Sequence, residues 1–222
     1  MRIASLFSGG KDSVYALGWA LAKGYEAILV TMDPQEYSMM FHHPNVKWTK
    51  LQAEAIGVKQ VVVKTTHEKE LEDLEKALGK LKKENGIEGI TTGAVASKYQ
   101  KDRIEAICKR LGLECFSPLW HAGNETLDKM VSEMEIYIVA VAAEGLGKEW
   151  LGKPFSELRS EMKKTNPKIK NIHPFLEGGE GETFVCNAPF FKKRILIKGW
   201  KIQWDGVRGV AEIENAVLIE KV

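Results

Sequence analysis

The first 22 residues, MRIASLFSGGKDSVYALGWALA (1–22), decide the fold of this chain. Arg2–Phe7 is an apolar run that predicts a strand, and Ser13–Ala22 has the spacing of a helix, which Gly24 stops. The residues SGGKDS (8–13) connect the two. A strand that turns directly into a helix is the first half of a parallel βαβ unit, so the segment predicts an α/β fold.

The same alternation of strands and helices continues to about residue 120. Apolar runs predict further strands at Glu26–Met32, Val58–Thr65, Gly89–Val95 and Leu113–Pro118. Helices are predicted at Val46–Ile56, with Asn45 as N-cap, and at Tyr99–Leu111. Between them, a charged amphipathic helix is predicted to follow the third strand and to end at Asn85-Gly86. Strands that are apolar throughout and separated by helices are typical of a doubly wound, mostly parallel sheet. We therefore predict a five-stranded, Rossmann-like sheet that binds its ligand at the loops following the strands.

The C-terminal part of the chain has a different pattern. Asn124–Met134 and the first half of Pro154–Asn171 predict helices, whereas Glu135–Ala142 and most of the chain after Thr183 predict strands. Asp205-Gly206, between two strand-like runs, is typical of a hairpin turn. We expect a nucleotide-binding domain at 1–130 and a smaller α+β domain at 131–222.

Composition excludes several classes of protein. The chain has 222 residues, 44% hydrophobic, and a net charge of +2, which is too small to indicate direct nucleic-acid binding. Three cysteines without a CxxC pair are typical of reduced thiols. The sequence shows neither a signal peptide nor a membrane-spanning run, so we expect a cytoplasmic protein without membrane contact.

The loop SGGKDS (8–13) has the chemistry of a phosphate-binding site. Gly9 and Gly10 let the backbone approach phosphate oxygens, and the following helix adds the positive end of its dipole. Lys11 supplies a mobile positive charge, and the hydroxyls of Ser8 and Ser13 are further donors. The alternative is a plain helix cap that binds no ligand.

Asp12 does not fit a simple phosphate loop. A carboxylate repels phosphate, so its presence indicates either a divalent cation such as Mg²⁺ or a cap inside the loop. The loop is neither a Walker A motif, GxxxxGK[ST], nor GxGxxG.

After the first strand, SGGKDS resembles the PP-loop of the N-type ATP pyrophosphatases, a group with a HUP fold that includes GMP synthetase and tRNA-modifying enzymes. This resemblance implies that ATP is cleaved to AMP and pyrophosphate through an adenylated intermediate.

Three further segments narrow the resemblance: GAVASKYQ (93–100) followed by Arg103, GLGKEWLG (145–152) and EGGEGET (177–183). With the PP-loop they resemble the diphthine–ammonia ligase family over nearly the whole chain. That family implies amidation of diphthine on elongation factor 2 to diphthamide, with ATP and ammonium as co-substrates. The chain departs from the family pattern at Gly181, where an aromatic residue is usual, and at Gly147, where Asp is common.

The positions of these motifs after the predicted strands indicate which residues bind ATP. We expect Gly93 to let ATP lie against the backbone, and Tyr99, Gln100 and Arg103 to open the next helix beside the phosphates, with a solvent-exposed Arg103 as the alternative. The expected nucleotide-binding residues are Ser8, Gly9, Gly10, Lys11, Asp12, Ser13, Thr31, Met32, Gly93, Tyr99, Gln100 and Arg103. Of these, Lys11, Asp12 and Arg103 are expected to act in catalysis, and Asp12 to bind the metal.

The backbone at the end of the second strand, around Thr31 and Met32, is the expected binding position for adenine. Asp33 is either a metal or ribose contact or a turn residue. His42-His43 lie in a loop with Pro at both ends, which either closes over the site or lies on the surface.

The loop EGGEGET (177–183), called the glutamate loop below, concentrates three carboxylates among glycines. It is either a charged surface loop or a site for a cation. We expect Glu177, Glu180 and Glu182 to bind substrate, with Glu180 also catalytic and Glu180 and Glu182 facing the acceptor or ammonia. Trp120 and Trp150 are candidate aromatic faces for the trimethylammonium group of diphthine.

Structural roles are expected for one histidine and two tryptophans. His173-Pro174 is expected to shape the turn of the glutamate loop. Trp200 and Trp204 lie four residues apart on one strand and are most simply core residues.

Two alternatives stay open at this point. Besides the ligase, the chain could be a nucleotide- or cobalamin-linked binding protein of the same fold or a PP-loop RNA-modifying enzyme, although isolated cysteines and low charge disfavour the last of these. Without a glutaminase-like Cys/His pattern, free ammonium is the simpler nitrogen source. The strand-rich C-terminal part is a candidate interface for a homo-oligomer.

Overall fold

A computed structural model of the chain describes residues 1–34, 45–66, 68–164, 166–167 and 169–221. The predicted loop of residues 33–44, with His42-His43, therefore lies almost entirely outside the described residues. No helix within the described ranges is long and apolar enough to cross a membrane.

In the described residues, five parallel strands form the first sheet. They are β1 (Arg2–Leu6), β2 (Glu26–Pro34), β3 (Gln60–Thr65), β4 (Gly89–Thr91) and β5 (Glu114–Phe116), in the order β3-β2-β1-β4-β5. The helices are α1 (Lys11–Ala22), α2 (Thr49–Ile56), α3 (Glu70–Asn85) and α4 (Lys98–Leu111). The predicted doubly wound α/β fold is confirmed. The order reverses beside β1, so the loops after β1 and β4 diverge and open a crevice at the carboxyl edge.

A second sheet follows, with four antiparallel strands among the described residues. The elements are α5 (Asn124–Glu133), β6 (Glu135–Val141), α6 (Phe155–Lys163), β7 (Gly181–Asn187), β8 (Lys193–Trp204) and β9 (Gly209–Glu220), and the strand order is β7-β6-β9-β8. The predicted hairpin at Asp205-Gly206 is present. The Asp205 carboxylate accepts the N–H groups of Val207 and Arg208, and Gly206 has a φ of 102°.

Asn45 does not cap a helix, contrary to the prediction. The chain first forms a 3₁₀ turn at Val46–Trp48, and no side-chain cap bond is present at Asn45. Its buried amide donates to the Ala211 carbonyl at 2.9 Å and accepts from the Ile213 N–H at 2.8 Å. Because β9 needs partners for these two backbone groups, Asn45 serves the second sheet rather than its own helix.

The core lies in two layers on either side of the first sheet. On one face, Leu74 and Leu78 of α3 and Ile104 of α4 pack against Ile28 and Val30. On the other face, a larger cluster joins α1 and α2 to the second sheet, through residues that include Leu17, Phe184 and Ile213. The second sheet is thereby held against the helices that follow β1 and β2. The domain boundary expected at residue 130 falls within α5 and stays a prediction.

Candidate active site

A cavity of about 650 Å³ lies where the carboxyl edge of the first sheet meets one end of the second sheet. This volume is in the range of small-molecule sites. The first sheet and its loops contribute Leu6, Phe7, Ser8, Gly10–Ser13, Val30, Met32, Thr92–Ala94, Gln100 and Ile104. The second sheet and its loops contribute Ala140–Ala142, Phe175–Gly179, Gly181–Thr183, Gln203–Asp205 and Arg208–Val210.

The PP-loop is held in shape by its own hydroxyls. The Ser13 hydroxyl donates to the Gly10 carbonyl at 3.0 Å and lies 3.2 Å from the Ser8 hydroxyl. Helix α1 begins at Lys11, two residues before the predicted start, and its N-cap Gly10 makes no side-chain cap bond. A helix N-terminus without a side-chain cap that opens on a cavity is suited to an anion.

Gly9 is fixed from behind the loop by a residue that the sequence did not single out. Gly9 has a φ of 81°, and a Cβ there would lie 2.2 Å from Oε1 of Gln52. The fully buried Gln52 amide donates to the carbonyls of Gly9 at 2.9 Å and Val185 at 2.8 Å. The Val185 N–H also donates to the Gly9 carbonyl at 3.0 Å. The loop is thus connected to α2 and β7, although nothing in the helix pattern distinguishes Gln52 from a surface glutamine.

Lys11 is not the mobile charge that the sequence suggested. Its side chain is 3% exposed, and Nζ donates to the Phe175 carbonyl at 2.6 Å and to Oδ2 of Asp12 at 2.8 Å. Nζ also lies 5.7 Å and 5.8 Å from the ring centroids of Phe155 and Phe175. A buried ammonium requires such partners, so Lys11 ties the PP-loop to the segment that carries the glutamate loop.

Two carboxyl groups near Lys11 have raised pKa values. Burial raises the pKa of Asp12, and the Lys11 ammonium offsets this only in part. Burial also raises the pKa of Glu177 to about 6, with a further contribution from the negative charges of Asp12 and Glu182, while the Ala96 N–H donates to its carboxylate. Raised carboxyl pKa values in a cavity are typical of functional sites.

Asp12 offers one oxygen to a cation. Its Oδ2 accepts from Lys11, whereas Oδ1 is buried and no donor among the described residues reaches it. The described residues contain no cluster of three or more side chains that could hold a metal by themselves. A cation at Asp12 would therefore need phosphate oxygens as further ligands, as Mg²⁺ commonly does.

Gly93 lines the cavity, and its missing side chain also makes room for a part of the protein itself. A Cβ at Gly93 would lie 2.6 Å from the carbonyl carbon of Asp12 and 2.7 Å from the Ser13 nitrogen. The space is occupied by the first turn of α1. The glycine lets the loop after β4 pack directly on the phosphate loop.

The structure brings ten of the predicted site residues to the cavity: Ser8, Gly10, Lys11, Asp12, Ser13, Met32, Gly93, Gln100, Glu177 and Glu182. Gly9 and Thr31 do not line the cavity, and the buried Thr31 hydroxyl donates to the Phe7 carbonyl at 2.7 Å. Tyr99 and Arg103 lie outside the lining. The Arg103 guanidinium stacks 3.3 Å from the ring centroid of the exposed Tyr99.

Glu180 is also placed outside the cavity lining. One of its carboxylate oxygens accepts the His173 N–H at 2.8 Å, and its carbonyl accepts the Ala142 N–H at 2.9 Å. These bonds close the glutamate loop, and His173 has the turn-shaping place that the sequence suggested. Glu177 and Glu182 are the members of the loop that reach the cavity.

Neither predicted tryptophan lines the cavity. The Trp120 ring is covered by the Lys101 ammonium at 5.0 Å, and Trp150 packs against the core. Trp204 does line it, at the end of β8 before the hairpin turn. Its place beside Asp205-Gly206 is the one sequence signal that could have separated it from Trp200, which packs on Tyr137.

Comparison with known proteins fits this geometry. Residues 1–115 match the family model of the diphthamide synthase N-terminal domain, and residues 123–219 match that of the C-terminal domain. The chain belongs to the diphthamide synthase family. The resemblance drawn from the four motifs is confirmed, and the two family models together cover both walls of the cavity.

Several relatives are named diphthine–ammonia ligase. The Bos taurus protein is 34% identical to this chain, over 89% of this chain and 83% of the relative. The Homo sapiens protein is 32% identical, with the same coverage. The Schizosaccharomyces pombe protein is 34% identical, but this chain spans only 36% of its length.

Among solved structures, the chain is similar to a predicted subunit of tRNA methyltransferase from Methanocaldococcus jannaschii. The TM-score is 0.46 at 18% identity, over 85% of this chain and 98% of that one. A likeness at this level carries no inference about function.

Proposed function

We propose that this chain uses ATP to convert the diphthine carboxylate of elongation factor 2 into the amide of diphthamide, with ammonium as the nitrogen source. The observation that carries this proposal is the single cavity that the PP-loop shares with Glu177 and Glu182. It occurs in a chain whose relatives are named diphthine–ammonia ligase.

The first step is adenylation of the acceptor. The pyrophosphate part of ATP binds at residues 8–13 and the N-terminus of α1, and the adenine lies towards Val30 and Met32. A carboxylate oxygen of diphthine attacks the α-phosphorus, and the bond to pyrophosphate breaks. The products are an acyl-adenylate and pyrophosphate. Positioning and charge neutralisation supply most of the rate, so no protein nucleophile is needed.

The second step forms the amide. Ammonium loses a proton, the nitrogen attacks the acyl carbon, AMP leaves, and a second proton is lost from nitrogen. Glu177 and Glu182 are placed to hold the ammonium near the acyl group, and Lys11 keeps the segment before Glu177 against the PP-loop. Asp12 Oδ1, with the phosphates, would hold Mg²⁺, which would neutralise phosphate charge.

The test measures AMP, pyrophosphate and the amide in mixtures of the purified chain, ATP, ammonium chloride and elongation factor 2 bearing diphthine. We expect all three products only when every component is present. Lys11→Ala should abolish them. Pyrophosphate release at the wild-type rate by Lys11→Ala would refute the assignment of the loop, and ATP binding without any product would favour a nucleotide-binding protein.

The glutamates are tested in the same assay. We expect Glu177→Gln and Glu182→Gln to slow amide formation, while Glu180→Gln acts through the stability of the loop. If Glu180→Gln forms diphthamide at the wild-type rate, the direct role predicted for Glu180 is dropped. A cytoplasmic location and a homo-oligomer stay part of the proposal, and light scattering of the purified chain tests the latter.

A further inference from the structure

The aromatic rings of the cavity differ in how much surface they expose. Among the described residues that line it, the aromatic side chains are Phe7, Phe175 and Trp204. Phe7 is 2% and Phe175 is 3% exposed, and the Lys11 ammonium already lies near the Phe175 ring. Trp204 is half-buried, so its indole is the ring of the three with surface available to a ligand.

The position of Trp204 is built by the second sheet. Gly181 pairs with Val141, Val141 with Gly209, and Gly209 with Trp204, in one row across all four strands. A Cβ at Gly209 would lie 2.7 Å from Cε3 of Trp204, so the glycine lets the indole lie against the backbone. The row is roughly 14 Å wide, from three strand spacings of about 4.8 Å. It has the indole at one edge and Gly181, followed by Glu182, at the other.

The charge of the cavity favours a cation. Asp12, Glu177, Glu182 and Asp205 line it. The Lys11 ammonium is buried on its partners Asp12 and the Phe175 carbonyl, and Arg208, the other cation among the described lining residues, is paired with Asp205 at 3.2 Å, so the carboxylates remain in excess. A primary ammonium would bind such carboxylates by direct hydrogen bonds. A quaternary ammonium has no N–H to donate, and it binds best on an aromatic face with diffuse negative charge around it.

We infer that the indole of Trp204 recognises the trimethylammonium group of the acceptor and so sets the preference for a fully methylated substrate. This inference deepens the proposed function and rests on it. Trp204 thereby replaces Trp120 and Trp150 as the aromatic face for that group, since neither lines the cavity.

The test compares two acceptors, elongation factor 2 carrying the trimethylammonium side chain and the same protein carrying a primary ammonium in its place. For the wild type, Trp204→Leu and Trp204→Phe, kcat/KM for each acceptor and KM for ATP are measured by AMP release. The control is Trp19→Leu, which changes a half-buried tryptophan that packs on Phe116 and does not line the cavity.

We expect the wild type to favour the trimethylated acceptor. Trp204→Leu should lower kcat/KM for that acceptor about tenfold through KM, with little effect on the primary ammonium or on KM for ATP. Trp204→Phe should keep most of the preference, and Trp19→Leu all of it. If the Leu variant does not fold, the Phe variant still tests the inference, because phenylalanine is a weaker face for a cation than tryptophan and a Phe variant with the full wild-type preference would overturn the role of Trp204.

Equal losses on both acceptors, or an unchanged preference in Trp204→Leu, would overturn the role of Trp204 and leave the proposed function standing. A wild-type enzyme that amidates neither acceptor would instead overturn the proposed function, and the inference with it.

Discussion

Gly93→Ala tests whether the phosphate loop depends on direct backbone packing against the loop after β4. The added methyl would lie 2.6–2.9 Å from three backbone atoms of Asp12 and Ser13, whereas ordinary contact begins near 3.4 Å. The first turn of α1 must therefore retreat by about 0.5–0.8 Å, because backbone atoms cannot turn aside as a side chain does.

Two consequences follow from that displacement. Overpacking of this kind costs about 1–3 kcal/mol of unfolding free energy, which lowers Tm by roughly 2–4 °C per kcal/mol for a chain of this length. A displacement approaching 1 Å at a reacting group costs up to about 100-fold in rate. We expect pyrophosphate release to fall about 10- to 100-fold.

The assay is pyrophosphate release from ATP with diphthine-bearing elongation factor 2 and ammonium, alongside thermal unfolding. The matched control is Gly79→Ala in the middle of α3, where the new Cβ meets only Cδ2 of Leu111 at 3.6 Å. That change should stabilise the fold by about 0.5–1 kcal/mol and leave turnover unchanged. If Gly93→Ala melts and turns over like the wild type, the packing explanation is wrong.

Three further substitutions have defined outcomes. Gln52→Leu should cost about 1–3 kcal/mol in urea unfolding, because it leaves the buried Val185 carbonyl without its side-chain donor; an unchanged unfolding midpoint would contradict this. Asn45→Asp, which a helix cap would tolerate, should lose a similar amount, since a carboxylate cannot donate to the Ala211 carbonyl; wild-type stability would restore the capping interpretation. Burial favours a higher pKa for Glu135, but hydrogen bonds from Arg194 and Tyr137 outweigh it and lower this pKa. The ionised Glu135 therefore stabilises the fold above the unfolded pKa near 4.3, and this stabilisation is lost as the pH falls through the lower pKa of the folded state. Glu135→Gln should therefore be about 0.5–1 kcal/mol less stable at pH 7 and equal to the wild type in strong acid, and a pH-independent difference in urea titrations would refute this.

Local sequence patterns were sufficient to predict the first sheet. Each strand from β1 to β5 is a short apolar run followed by a helix period, and glycines such as Gly86 end helices in the left-handed conformation that the sequence indicates. Strand β4 ends at Thr91, short of the predicted Val95, because its partner β5 ends at Phe116 and the bond from the Thr92 N–H to the Phe116 carbonyl is the last one between the two strands. A contact with the neighbouring strand decides that end, and periodicity does not report it.

The candidate site was predictable where its residues adjoin the motif, and not where partners come from far along the chain. The PP-loop was identified from residues 8–13, but Gln52 and Thr183 reach it only through tertiary packing. In the glutamate loop, the spacing of carboxylates does not reveal which one faces inward. All three glutamates are predicted to bind substrate and Glu180 to act in catalysis, but Glu180 accepts the His173 N–H and lies outside the cavity lining.

The bonds between the phosphate loop and β7 bear on how the gene can be recombined. The Lys11 N–H donates to the Thr183 hydroxyl at 3.1 Å, and the Val185 N–H donates to the Gly9 carbonyl at 3.0 Å. A chimera that joins residues 1–115 of this chain to the C-terminal half of a relative would inherit its PP-loop from one parent and the residues that support this loop from the other. The residues that form these bonds are therefore expected to be inherited as a matched set. Exchange should succeed only between parents whose residues at these contacts are compatible.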